Sequence, residues 1–127
     1  MGRVLLVAVG GALGSAVRYV VATAALTWIG PTFPWGTLAV NLVGSFLIGF
    51  VQQLATEAFV IGEDTRLLLT TGVMGGLTTY SAFDYETTTL LQTGAPLSAL
   101  ANIGATLVAC FAAGLLGIAL ARLVVPE

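Results

Sequence analysis

The sequence of 127 residues contains no histidine, no lysine and a single cysteine, and only 8% of it is charged. Each shortage removes a class of function. Without histidine, the usual zinc sites and proton shuttles have no imidazole to build on. Cys110 has no second cysteine to pair with, which excludes an internal disulfide, and it stands in an apolar run as a small hydrophobic residue. Four arginines against six carboxylates give a net charge of −2 and no basic patch for nucleic acid. No nucleophile–base pair or metal cluster is visible, so no enzyme chemistry suggests itself. A soluble domain carries about 25% charged residues, so water is not the main solvent of this chain.

What is present is apolar length. Hydrophobic residues make up 57% of the chain and the mean hydropathy is +1.02. A bilayer span needs about 20 apolar residues, so the length accommodates four helices with short connections as one domain over residues 1–127. The first span reads from about Arg3 to Trp28. Its opening, Arg3 before an apolar run, faintly resembles a signal peptide, but the run continues past Arg18 to span length. Gly10, Gly14 and Arg18 recur every four residues, with Gly11 and Ser15 beside them, a pattern of close helix packing. Arg18 itself must face a vestibule or a partner, because a charge near mid-span costs at least about 2.5 kcal/mol.

Pro31, Pro34, Gly30 and Gly36 mark the first loop, and Trp28 and Trp35 suit the membrane interface. The second span runs from about Thr37 to Phe59, with Asn41, Gly44, Ser45 and Gly49 on one face. Asn41 reads equally well as interhelical glue and as an N–H donor on an anion pathway. A polar turn, Ile61 to Thr65, offers Asp64 or Thr65 as a cap for the third span, about Arg66 to Gln92. Gly94 and Pro96 turn the chain into the fourth span, about Leu97 to Val124, where Asn102, Thr106, Cys110 and Gly114 repeat every four residues as a mildly polar stripe.

The third span is the unusual one. Gly72, Gly75 and Gly76 fall within five positions, followed by Thr78, Thr79 and Ser81. Glycine costs roughly 1 kcal/mol against alanine in a helix interior, and the hydroxyls can bond backbone carbonyls locally. The expectation is a break near Gly75–Thr79, with free carbonyls for a cation and free N–H groups for an anion. Tyr80 and Phe83 share a face beyond it and can turn positive ring edges toward an anion. Asp84 and Glu86 follow, too deep for lipid unless they meet water or a partner.

Three stretches together resemble the Fluc (CrcB) family of fluoride channels over essentially the whole chain. They are Gly10-Gly-Ala-Leu-Gly-Ser-Ala-Val-Arg18-Tyr19, Asn41-Leu-Val-Gly-Ser-Phe-Leu-Ile-Gly49 and Gly75-Gly-Leu-Thr78-Thr79-Tyr80-Ser81-Ala-Phe83. The resemblance implies an all-α membrane protein of four transmembrane helices, assembled as a homodimer of two antiparallel subunits of dual topology. It implies passive export of fluoride across the cell membrane, with a sodium ion at the dimer centre held by the backbone carbonyls of Gly75 and Thr78. It also implies an ion pathway through Asn41, Thr79, Tyr80, Ser81, Phe83, Asn102 and Thr106, with Arg18 at a vestibule. The chain departs from the family pattern at Tyr80, where phenylalanine is common, at Ala82, where threonine is common, and at Asp84, where serine is common.

Two rivals are weaker. A small proton-coupled multidrug transporter also has four short helices, but its chemistry needs a carboxylate deep in the first span, and this chain has none there. A non-conducting membrane subunit accounts for the small-residue seams but not for polar groups converging on the third span. Arg3, Arg66 and Arg122 fall on the side of the termini, so counting basic residues alone puts both termini in the cytoplasm; the resemblance instead implies insertion in both directions.

Overall fold

The computed structural model describes residues 1–57 and 60–125, and among these the regular structure is entirely helical. The chain runs α1 (Gly2–Trp28), α2 (Trp35–Thr56), α3 (Glu63–Leu67), a π-helical segment (Leu68–Met74), α4 (Gly75–Leu77), α5 (Tyr80–Gln92) and α6 (Pro96–Val124). Three of these, α1, α2 and α6, are each long and apolar enough to cross a membrane alone. The third span is composite, from α3 through the π segment and α4, across a break, to α5. The expected end of the second span at Phe59 lies outside the described residues.

The turns follow from local chemistry. Gly30 (φ 107°) and Gly94 (φ 81°) adopt the left-handed backbone that side chains resist. Pro96 opens α6, where its missing N–H has no helical partner to lose. The start of α3 differs from expectation. Its N-cap is Gly62 and no side chain caps it, because Asp64 and Glu63 are drawn instead to Arg3 across 61 and 60 residues of sequence.

Two glycine seams set the packing. A Cβ added to Gly10 would stand 2.7 Å from the Leu68 carbonyl oxygen and 2.9 Å from Gly72 Cα, and one on Gly76 would stand 2.9 Å from Ser15 N. Hence α1 lies backbone-to-backbone against the π segment and α4, and Gly72 and Gly76 are packing contacts as well as weak helix formers. A Cβ on Gly117 would stand 2.9 Å from Phe50 N, and one on Gly49 would run into the Gly114 carbonyl, which brings α6 onto α2 in the same way. Val40, Met74 and Leu77 form the buried apolar cluster between α2 and the third span, with Val21, Leu47 and Val73 packed against it.

The outward faces are apolar. On α6 alone Leu97, Leu100, Leu107, Val108, Phe111, Leu115, Leu116 and Leu123 are exposed, as suits a helix in lipid or against another subunit. At the end of the bundle holding the N-terminus, Arg3 pairs with Glu63 and Asp64, Arg66 reaches Gln52, and Arg122 lies 3.8 Å from Glu57. The three arginines therefore share that end with three carboxylates.

Candidate functional site

The third span begins to depart from α geometry a full turn before its glycines. From Leu68 to Met74 the backbone is π-helical, and the Gly75 N–H reaches the Thr70 carbonyl five residues back. Such segments recur at functional sites because each widens the turn and displaces one residue. Nothing in the sequence marked this segment: Thr70, Thr71 and Gly72 are as compatible with an α-helix carrying hydroxyls that bond backward, and Thr70 Oγ1 does donate to the Arg66 carbonyl at 2.8 Å.

The helix then opens at Thr78 (φ −82°, ψ 151°) and Thr79 (φ −152°, ψ 120°), two extended residues between α4 and α5. Side chains from elsewhere take over the backbone bonds that the opening releases. The Thr79 N–H, which a continuous helix would give to the Gly75 carbonyl, donates to Asn41 Oδ1 at 2.8 Å. Asn41 Nδ2 returns a bond to the Thr79 carbonyl at 3.1 Å. The Ala82 N–H, which would serve the Thr78 carbonyl, donates to Thr79 Oγ1 at 3.2 Å, so Thr79 is the N-cap of α5. Arg18 Nε donates to the Gly76 carbonyl at 3.0 Å. The carbonyls of Gly75 and Thr78 have thus both lost their helical donors to other acceptors. Backbone oxygens of that kind suit a hard alkali cation, so the donor set fits the sodium ion that the resemblance implies.

Next to the break, α2, the third span and α6 border a groove of about 910 Å³. Asn41, Gly75, Thr78, Thr79, Tyr80, Phe83 and Thr106 all line it, which joins residues from three spans. Tyr80 is 79% exposed and Phe83 only 9%, with ring centroids 5.7 Å apart and planes at 56°. The N-terminus of α5 opens beside these rings, so its free N–H groups and ring edges present positive partial charge. Ser81 is exposed and does not line the groove, although its Oγ lies 3.3 Å from Thr79 Oγ1. Asn102 is fully buried, donating to Thr87 Oγ1 at 2.9 Å and fastening α6 to α5. Thr106 lies 3.5 Å from Asn102 Oδ1 on the groove side of α6. Arg18 stands on the opposite side of the break from the groove lining, in contact with α4.

One pair went unread in the sequence. Thr37 Oγ1, at the start of α2, donates to Glu86 Oε1 on α5 at 2.8 Å. A threonine in the first turn of an apolar helix carries no signal of its own, and the depth of Glu86 was the single hint that some partner was needed.

Helices of membrane-crossing length, small-residue seams between them and an interrupted span with its polar groups turned inward define a multi-pass helical membrane protein. The particular family is given by comparison. Residues 5–118 match the family model described as CrcB-like protein, Camphor Resistance (CrcB). The chain is 46% identical over 125 residues to a protein of Rhizobium etli named "Fluoride-specific ion channel FluC", covering 98% of this chain and 100% of the relative. Relatives of the same name in Anaeromyxobacter dehalogenans (46% identity, 96% of this chain, 97% of theirs) and Geobacter sulfurreducens (43%, 96% and 98%) are similar over the same extent. The chain belongs to the CrcB family.

Proposed function

We propose that this chain is a fluoride-specific ion channel that lets fluoride leave the cell passively and so lowers its cytoplasmic concentration. The observation that carries the reading is the groove at the broken span, where Asn41, Thr79, Tyr80, Phe83 and Thr106 converge from three spans. Full-length relatives named for fluoride conduction support it.

The chemistry is that of replacing a hydration shell. A bare anion is not tolerated in an apolar medium without donors. The second N–H of the Asn41 amide, the free N–H groups at the start of α5 and the edges of the Tyr80 and Phe83 rings supply them along one side of the groove. Thr79 and Thr106 extend the polar lining toward α6, with Ser81 beside Thr79 and the buried Asn102 behind Thr106 supporting it. Arg18 stabilises the break from behind, and its positive charge favours anions near a vestibule.

The groove is open on the side of Tyr80, and a second, inverted copy of the chain closes it in this reading. The carbonyls of Gly75 and Thr78 would hold a sodium ion at the centre of that dimer. Sodium there supplies fixed positive charge; the protein's own part is to withhold helical donors from those two oxygens. Purified protein in proteoliposomes tests the function: fluoride efflux down a gradient of potassium fluoride, and no chloride efflux down one of potassium chloride, is the expected result, and efflux of both or neither refutes it.

A further inference from the structure

The charges of a single copy do not all find partners within it. Arg3 pairs with Glu63 and Asp64, Arg122 lies beside Glu57, Arg18 donates to the Gly76 carbonyl and Glu86 accepts from Thr37. Among the described residues, one cation and one anion are left over. Arg66 has only a 3.4 Å bond from Nη1 to Gln52 Oε1, and the exposed Asp84 side chain makes no hydrogen bond or ion pair. The two stand on opposite sides of the break. At 1.5 Å per helical residue, Arg66 precedes it by about 18 Å and Asp84 follows it by about 8 Å, so within one chain they are about 26 Å apart.

The face that carries Asp84 is unlike the other outward faces. From Tyr80 to Leu90 the exposed residues of α5 are Tyr80, Ser81, Asp84, Tyr85 and Thr88, each with a hydroxyl or a carboxylate. The outward face of α6 is instead leucine, valine and phenylalanine. A carboxylate inside a span does not face lipid without cost, so protein or water covers this side of α5. The groove offers a cover. Its lining continues from Asn41 and Thr106 past the break to Gln52, Thr70 and Ile118, toward the end of the bundle that holds Arg66. The chain's own α5 runs the other way from the break. Inverting a second copy about the break carries its α5 to that end and brings Asp84 to within about 10 Å in height of Arg66, a gap that the two side chains can cover.

We propose that Asp84 of each subunit forms an ion pair with the partner's Arg66, fastening α5 of one copy into the groove of the other. The pair rests on the inverted dimer proposed above and supplies the charge complementarity that selects it. A two-fold interface presents the same patch from both sides, so the contact is made twice. In a parallel dimer the two charges stay at different heights and neither is answered, which makes the pair a device for orientation as well as for affinity.

Cross-linking tests the contact and charge exchange tests the pairing. In a Cys110→Ser parent, which has no thiol, Arg66→Cys and Asp84→Cys subunits with different tags are co-expressed, purified through both tags and treated with a short bismaleimide. The expected product is a covalent dimer carrying both tags. Arg3→Cys in place of Arg66→Cys, at the same end but on α1, should give none. In the second experiment, Asp84→Arg and Arg66→Asp should each lower the fraction of dimer that survives heating in detergent, read by size exclusion, and the two changes in one chain should restore it to the parent value. Should a cysteine variant fail to fold, the charge exchange decides alone. A parent that elutes as a dimer and passes fluoride, but lacks the cross-link or the restoration in folded variants, overturns the ion pair and leaves the inverted dimer standing. A parent that is monomeric in membranes overturns both.

Discussion

The side-chain amide of Asn41 faces the backbone of Thr79 and bonds it twice, accepting the N–H at 2.8 Å and donating to the carbonyl at 3.1 Å. In effect α2 lends the interrupted third span the pairing that its own helix has given up. Interhelical glue and pathway donor, the two readings of Asn41, are compatible here, because one amide N–H is used on Thr79 and a second is left over.

Asn41→Ala should leave the Thr79 N–H and carbonyl unpaired in an apolar setting, at about 1–3 kcal/mol for each group. Thermal unfolding in detergent should fall accordingly, together with fluoride efflux. Asn41→Asp should be worse for efflux, since it removes the donor to the Thr79 carbonyl and sets a like charge on the proposed route.

The two rings separate by substitution. Tyr80→Phe keeps the exposed ring and its edge, and fluoride efflux from proteoliposomes should stay near the parent rate. Phe83→Ile replaces a buried ring by an aliphatic group of no edge polarity, and efflux should drop at least about tenfold in protein that still elutes as a single species. Normal efflux in folded Phe83→Ile and Asn41→Asp together would place the route elsewhere.

Thr79 caps α5 through its hydroxyl. Thr79→Ser should be nearly silent in a thermal melt, whereas Thr79→Val should lose about 1 kcal/mol with the bond to Ala82. Thr78 differs, because the oxygen proposed to meet sodium is its carbonyl. Thr78→Ala should alter the sodium dependence of efflux less than Gly75→Leu, whose bulk would fill the groove beside that oxygen.

The seam on α1 gives a stability test away from the groove. Gly14→Ala would drive a methyl onto the Val73 carbonyl and within 2.8 Å of Leu77 N. A loss of about 1–3 kcal/mol is expected, whereas Gly104→Ala, which meets nothing within 4 Å, should leave unfolding unchanged.

Orientation is settled by labelling. With Arg3, Arg66 and Arg122 the only basic residues at their end of the bundle, the topological bias is small in absolute count. A C-terminal tag probed in intact cells should be accessible on about half of the subunits if insertion is dual. Uniform labelling from one side would reject the antiparallel dimer.

The sequence alone determined what depends on neighbours along the chain. Apolar length placed the first and fourth spans to within one residue at each end and the start of the second to within two, Gly30, Gly94 and Pro96 marked the turns, and the threonines after Gly76 announced a break. The tertiary structure decided what depends on distant pairs. Asn41 meets Thr79 across 38 residues, Arg18 meets Gly76 across 58, and Thr37 meets Glu86 across 49. It also left Ser81 out of the groove lining, buried Asn102 against Thr87 and seated Gly72 and Gly76 on α1. The physical reason is the solvent. In lipid every polar group must find its partner inside the protein, and which one it finds is set by how the glycine seams bring the helices together, a geometry that no stretch of sequence contains by itself.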